Sequence, residues 1–402
     1  MSPLISGPPK ALMLVVQSTS PGGMETHCVD LAREFWKRGT KVSAVVPEPS
    51  EFDALAARFE AAGAAVIRLN TTAWGEGRAE QLKRLPRLLS LIRQVKPDVI
   101  HLHTGGATGG LIVILAARLG SRATVVVTEH DVPAERPAGR DRLARSAMDR
   151  LQHGLVAVSR RNAGIRIERL GVGRRPIAVI LNGVPIPPDS ATERGSNRSR
   201  VRRELGLAPD SMVIGSLVRL APGKGLNDLV HAFALVRQSV PSELLLVGEG
   251  PSRQELTDLA ATLGVSDHVH MPGSQTDTCA FLNAMDIFAL AVPAGSMSIA
   301  LLEAMAQGLP PVITFCGPEE AVVPEVTGLC APPNNPEGLG EVLIRLAGDQ
   351  TLREGLGTAA AGYIRSSFSV GRVADDLEEV YRSCRQGLIP PRLLATSPES
   401  PL

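Results

Sequence analysis

Residues 295–308 read G-S-M-S-I-A-L-L-E-A-M-A-Q-G, and the fold follows from them. Ser296 and Ser298 suit a helix N-cap, Ile299, Leu301, Leu302, Ala304 and Met305 supply apolar helix formers, and Gly308 with Pro310-Pro311 ends the helix. A short buried helix is expected, with unpaired amides and the positive end of a dipole at its tip. Glu303 is the one carboxylate on it. Such a helix can hold a phosphate at its tip and a polyol at its carboxylate, although a helical Glu more often pairs with a surface Arg.

Upstream of this helix, MDIFALA (285–291) reads as a buried strand, and PPVITF (310–315) follows as another. The same alternation of short apolar runs and helices extends in both directions. In the second half it includes SMVIGSLVRL (211–220), ELLLVGEG (243–250), HVHMPG (268–273) and GLCAPP (328–333). In the first half it includes ALMLVV (11–16), KVSAVVP (41–47), AAVIRL (64–69), DVIHLH (98–103), TVVVTEHD (124–131), GLVAVS (154–159) and PIAVILNGV (176–184), with helices near 78–95 and 107–119. Runs of this kind predict α/β architecture: two doubly wound parallel sheets, each with function at its strand C-termini. A Pro-, Ser- and Asn-rich stretch, 185–198, reads as the linker, and 387–402 as a mobile tail.

At 402 residues the chain exceeds one typical core, and 44% hydrophobic with 21% charged residues describes a globular protein. A net charge of +1 leaves no footprint for nucleic acid. The basic run 194–203 reads as solvated linker. Five cysteines without CxxC spacing argue against a disulfide framework or zinc site and for a reducing compartment. Neither a signal peptide nor an apolar run of membrane-spanning length is evident, so a cytoplasmic location is expected.

Arg219, Lys224 and Glu303 fall at strand-to-helix junctions of the second half, where two cations near a helix tip suit a diphosphate. The G-K-G at 223–225 is not a P-loop, because Gly follows the Lys. In the first half, Gly22-Gly23 permits close backbone approach of a ligand at a helix start, and His130 ends a strand between Glu129 and Asp131. The pairs His101/His103 and His268/His270 each share a strand face, which raises a metal reading, but no third ligand has suitable spacing. No GxGxxG follows the first strand, which argues against an NAD-dependent oxidoreductase.

Taken together, P-G-G-M-E (21–25), H-L-H (101–103), T-E-H-D (128–131), N-G-V (182–184), R-L-A-P-G-K-G (219–225), L-V-G-E-G-P (246–251) and L-L-E-A-M-A-x-G-x-P (301–310) resemble the retaining GT-B glycosyltransferases of family four, in order, from about residue 11 to 385. The resemblance implies two Rossmann-like lobes facing across a cleft. The first, 1–190, would bind the acceptor and the second, 191–368, the nucleotide sugar, with a helix over 369–386 crossing back to the first lobe. The donor would be a UDP- or GDP-type sugar, and no metal is expected because two cations and a helix tip take its place. Arg219 and Lys224 would hold the diphosphate, Glu303 the ribose hydroxyls, and His130 would lie by the donor sugar. Gly22 and Gly23 would approach the donor phosphates, Met271 to Gly273 would line the base, and Gly295, Ser296, Met297, Ser298, Ile299 and Leu302 would complete the donor contacts.

One position departs from the family pattern, which places a second glutamate eight residues before the ribose-binding one, where this chain has Gly295. The expected activity is transfer to a glycan, lipid or small-molecule acceptor, and the departure permits weak activity, a different donor, or a protein that binds nucleotide sugar without transferring it. A nucleotide-sugar epimerase sharing the two-lobe architecture would need acid/base carboxylates, for which only Glu129 and Asp131 stand out. The Arg-rich segment 133–150 reads either as a solvated helix or as a contact with an acceptor or anionic membrane surface.

Overall fold

The computed structural model describes residues 8–18, 22–71, 82–105, 110–131, 139–170, 177–188, 190–293, 298–314 and 320–395. It divides into two compact units, Met1–Gly183 with Val370–Leu402, and Val184–Ser369.

The first unit alternates β1 (Ala11–Gln17), α1 (Gly23–Lys37), β2 (Lys41–Val46), α2 (Asp53–Ala61), β3 (Ala65–Arg68), α3 (Leu85–Val95), β4 (Val99–Thr104), α4 (Leu111–Gly120), β5 (Thr124–Glu129), α5 (Gly139–Leu151), β6 (Gly154–Ala157), α6 (Arg160–Leu170) and β7 (Ile177–Val179). Its parallel sheet has the order β3-β2-β1-β4-β5-β6-β7. Both faces are covered, which is why β1 is a continuous apolar run rather than an alternating one. Leu12, Leu14 and Val16 enter one hydrophobic cluster, and Met13 and Val15 enter the other.

The second unit runs α7 (Ala191–Glu204), β8 (Met212–Leu217), α8 (Leu226–Ser239), β9 (Ser242–Val247), α9 (Arg253–Thr262), β10 (Val269–Gly273), α10 (Thr278–Ala284), β11 (Ile287–Leu290), α11 (Ile299–Ala306), β12 (Pro311–Thr314), β13 (Leu329–Ala331), α12 (Pro336–Gly348) and α13 (Gln350–Ser367). Its parallel sheet has the order β10-β9-β8-β11-β12-β13. Strand order reverses between β1 and β4 in one sheet and between β8 and β11 in the other. At such a reversal neighbouring loops diverge to opposite faces and leave a crevice at the strand C-termini.

A last helix, α14 (Val370–Ser383), belongs to the first unit. Val370, Val373, Ala374, Leu377, Val380 and Tyr381 repeat at helical spacing and join the cluster that holds α1. Arg38 of α1 binds Asp375 at 2.6 Å, Glu378 at 3.0 Å and the Gly371 carbonyl at 2.8 Å.

Three expectations are corrected. The stretch 185–198 is not wholly linker, and the basic run 194–203 is not wholly solvated. Ser190 caps α7 by accepting from Glu193 N at 3.2 Å, and helical spacing aims Arg198 and Arg202 together at Asp286, at 2.7 and 2.8 Å. Arg202 is only 2% exposed and also donates to the carbonyls of Ala284, Pro209 and Ser211. The tail expected to be mobile from 387 is anchored as far as Ala395. Ile389 and Leu393 are buried, Arg392 pairs with Asp376 at 2.5 Å, and Ala395 N donates to Ile177 O at 3.0 Å.

Removing one partner from a buried ion pair leaves a charge without compensation, at a cost of about 3 kcal/mol or more. Asp286→Ala is expected to lower the stability of the first urea transition by about 3 kcal/mol, read by circular dichroism. A change under about 0.5 kcal/mol, typical of a neutral surface substitution, would show that α7 is not held by this pair.

Candidate functional site

In the second unit three loops at the strand C-termini are locked by glycines. Gly248, at φ +150, lies where a Cβ would fall on the Val218 carbonyl oxygen, and a Cβ on Gly250 would fall on that of Leu220. Leu220 N donates to Glu249 O at 3.1 Å and Ser252 N to Leu220 O at 2.9 Å, so the loop after β8 and the loop after β9 are one backbone-bonded unit. On the other side of β8, Gly225 has φ +66 and would place a Cβ on the carbonyl of Ala291, just past the end of β11. Only a residue without Cβ tolerates both that backbone conformation and that approach. The loop carrying Arg219 and Lys224 therefore presses against the strand end that leads toward α11, at the reversal of strand order.

Helix α11 forms as its composition dictates. Ser298 Oγ accepts from Leu301 N at 3.3 Å, Gly308 at φ +82 ends the helix, and Ile299, Leu301, Leu302, Ala304 and Met305 are buried. Glu303 is half-buried. Gly295, Ser296 and Met297 lie outside the described residues. Arg219 is exposed and Lys224 half-buried, and neither side chain has a charged or hydrogen-bonding partner among the described residues. Both cations lie on the one loop whose backbone meets the end of β11. Met271 and Gly273 sit on the edge strand β10, two strands from β8, where Met271 O accepts from Arg253 at 2.8 Å and Gly273 O from Gly248 N at 3.0 Å. Arg219, Lys224 and α11 share the strand reversal, whereas Met271 and Gly273 flank it.

In the first unit Gly22 is the N-cap of α1, in extended backbone at φ −167, and Gly23 is its first residue. Glu25 is buried. Burial raises its carboxyl affinity for a proton, and hydrogen bonds from Ser18 and the Gly22 backbone oppose that rise. This carboxyl ties the two sides of the glycine loop together, a role that sequence reasoning missed although Glu three residues after a cap is its usual signature.

His130 follows β5 and is 6% exposed. Its backbone is fixed by N to Thr104 O at 2.9 Å and by Asn162 Nδ2 to its O at 3.1 Å. Its ring forms a cluster with His27, His101 and His103. His103 Nδ1 and His130 Nε2 are 3.1 Å apart, and the ring centroids of His27 lie 6.0 Å from His130 and 6.3 Å from His103. Burial is the main cause that lowers all four pKa values, to about 4 for His27 and about 3 for His101, and well below the usual histidine range for His103 and His130. The imidazoles are neutral at pH 7.

The metal reading of the histidine pairs finds no support in this geometry. His101 is bonded to Tyr381 and Thr128, and His268 and His270 both address Glu243, at 3.2 and 2.8 Å. Among the described residues no group of three or more His, Cys, Asp or Glu is arranged to hold a metal ion. Glu129, weighed as an acid/base group for an epimerase, is instead a buried structural carboxylate held by Arg145 and Arg166. Arg145 is thereby withdrawn from the Arg-rich face expected over 133–150, of which 133–138 lies outside the described residues. No helix among the described residues is long and apolar enough to cross a membrane.

Comparison with known proteins agrees with this fold. The family described as Glycosyltransferase Family 4 matches residues 21–186, and that described as Glycosyl transferases group 1 matches residues 197–362. The chain is 31% identical over 274 residues to D-inositol 3-phosphate glycosyltransferase of Salinispora arenicola, covering 64% of this chain and 60% of that protein. It is 27% identical over 188 residues to N-acetyl-alpha-D-glucosaminyl L-malate synthase of Bacillus anthracis, covering 46% and 48%. The matches thus span about half to three fifths of these relatives. The crystal structure of Anabaena Alr3699/HepE in complex with UDP superposes with a TM-score of 0.76 at 21% identity, covering 93% of this chain and all of that one, a likeness of fold.

The histidine cluster has a consequence for acid stability. Below pH 6.5 the unfolded chain protonates these imidazoles while the folded chain does not, down to about pH 4 for His27 and about pH 3 for His101. Stability contributed by this group is present above pH 6.5 and is lost as pH falls through that window. Asp30, whose carboxyl burial raises to about 6, acts in the opposite sense between pH 6 and 4, and Glu25, also raised by burial, acts in the same sense as Asp30, but four imidazoles outweigh two carboxyls. The urea midpoint is expected to be lower at pH 5 than at pH 7.5, and His27→Gln to reduce that difference. Equal midpoints at the two pH values would contradict a neutral buried cluster.

Proposed function

The chain belongs to the group 1, family-four glycosyltransferases, and we propose that it moves a sugar from a nucleoside diphosphate sugar of UDP or GDP type to a glycan, lipid or small-molecule acceptor, with retention at the anomeric carbon. The reading is supported most by Arg219 and Lys224, whose side chains lack charged or hydrogen-bonding partners among the described residues and which lie on the loop that packs against the end of β11.

In this reading the second unit binds the donor. As the bond between the anomeric carbon and the diphosphate oxygen breaks, negative charge develops on the departing diphosphate. The Arg219 guanidinium and Lys224 ammonium stabilise it together with amides at the start of α11. Each charge-assisted hydrogen bond contributes about 1.5 to 3 kcal/mol. Glu303 accepts from the ribose hydroxyls. The acceptor oxygen attacks the same face from which the diphosphate leaves, and its proton passes to the leaving phosphate, so no enzyme nucleophile and no metal is required. Gly23 and neutral His130, at the strand C-termini of the first unit, are the residues that the family resemblance implies for the donor phosphates and the sugar. The protein is assigned to the cytoplasm.

The test is turnover of UDP-, GDP- and ADP-sugars with a broad acceptor set, with product configuration read by NMR. Transfer with retention, unaffected by chelator, is the expected result. Lys224→Ala is expected to lower kcat/KM by about ten- to a hundredfold, the equivalent of one lost charge-assisted contact. Absence of both transfer and donor hydrolysis would contradict the transferase reading. Turnover that arises only in Gly295→Glu would identify a binding protein that lost transfer with the acidic side chain at that position.

A further inference from the structure

The four buried imidazoles of the first unit are arranged so that the protonation of one dictates that of the next. Each is neutral and so carries one N–H and one lone pair. His103 Nδ1 and His130 Nε2 are 3.1 Å apart, which requires that one of these nitrogens bear the hydrogen and the other the lone pair. The remaining nitrogen of His103, Nε2, is buried and has no hydrogen-bond partner among the described residues. Were the proton of His103 on Nε2, a buried N–H would be left without an acceptor, an omission that folded proteins rarely tolerate. With the proton on Nδ1, only a lone pair goes unfilled. His103 therefore donates and His130 Nε2 accepts, and the proton of His130 resides on Nδ1. Among the described residues that nitrogen has no protein partner.

We infer that His103 is a positioning residue for His130: its Nδ1–H, bonded to His130 Nε2, holds His130 as the Nδ1–H tautomer and makes it a hydrogen-bond donor toward a ligand oxygen, not a base. The role of that donor rests on the proposed reading that His130 meets the donor sugar, whereas the tautomer stands on the geometry alone. The ring of His103 is itself held from behind. His101 stacks on it with centroids 4.1 Å apart and is pinned at both nitrogens, by Tyr381 Oη at 2.7 Å and Thr128 Oγ1 at 2.7 Å. His27, whose Nδ1 meets the Gly183 carbonyl at 3.1 Å, packs edge-on against His103 and His130. Tyr381 thus makes α14 the base of a stack that ends at His130.

The test uses the full chain labelled with 15N-histidine, read by long-range proton–nitrogen correlation, with peaks assigned from single His→Gln variants. The expected pattern for His130 is a protonated Nδ1 and an unprotonated Nε2. His103→Leu removes the donor and is expected to release His130 toward the Nε2–H form. In turnover of a UDP- or GDP-sugar it should lower kcat about tenfold with KM changed less than about twofold, the size of one neutral hydrogen bond felt in the transition state. His103→Asn, whose amide N–H takes the place of Nδ1–H, is expected to keep the tautomer and recover most of the rate, which a purely structural role of the ring would not do. A His130 found as Nε2–H in the unaltered protein, or a His130 pattern identical in His103→Leu, would overturn the inference. Turnover unchanged in His130→Ala, in a protein that shows the Nδ1–H pattern, would refute the reading of His130 as a donor contact while the tautomer stands.

Discussion

The contact on which the second unit depends is the one between the Gly225 backbone and the carbonyl of Ala291. It exists only because residue 225 has no Cβ and can adopt φ +66. The consequence is chemical. A loop that could have stood away from the sheet is pressed against the β11 end, and with it come a guanidinium and an ammonium that have no counter-charge among the described residues. Gly248 and Gly250 do the same on the β9 side. Strand order, set by right-handed parallel crossovers, decides where this happens, because β8 and β11 flank the only reversal in that sheet's described order.

The first unit solves the corresponding problem with different chemistry. Its reversal lies between β1 and β4, and the elements there present a glycine-capped helix start and a set of neutral imidazoles. Burial, more than any partner, keeps these rings uncharged. A neutral ring commits to one tautomer once its neighbours are fixed. The Glu129, Arg145, Arg166 and Asp149 network contributes in a structural way: it ties α5 and α6 to the end of β5, directly before His130.

Much of this was legible in the residues. Fully apolar runs such as 11–16 indicated buried parallel strands because both of their faces are covered, and Ser298 with Gly308 marked the limits of α11 because capping chemistry is local. What failed was non-local. Nothing near Arg202 in sequence announces Asp286, more than eighty residues away, so a helix that docks by ion pairs read as solvated linker. Ile389 and Leu393 stand among prolines and serines, and the cluster that buries them is built from elements distant in sequence. His101 and His103 raised a metal reading by spacing alone, whereas their actual partners, Tyr381, Thr128 and His130, come from other elements.

The central claim is that the second unit holds a nucleoside diphosphate through Arg219, Lys224 and the start of α11. A ligand bound only by the folded state raises its stability by mass action, by about 2.7 kcal/mol at a hundred times the dissociation constant. The most direct measurement is the thermal midpoint of the unaltered chain and of Arg219→Ala and Lys224→Ala, each with and without UDP or GDP. The account predicts a rise with at least one of these nucleotides that shrinks in both variants. A midpoint indifferent to both nucleotides, or a rise fully retained when the two cations are removed, would contradict it.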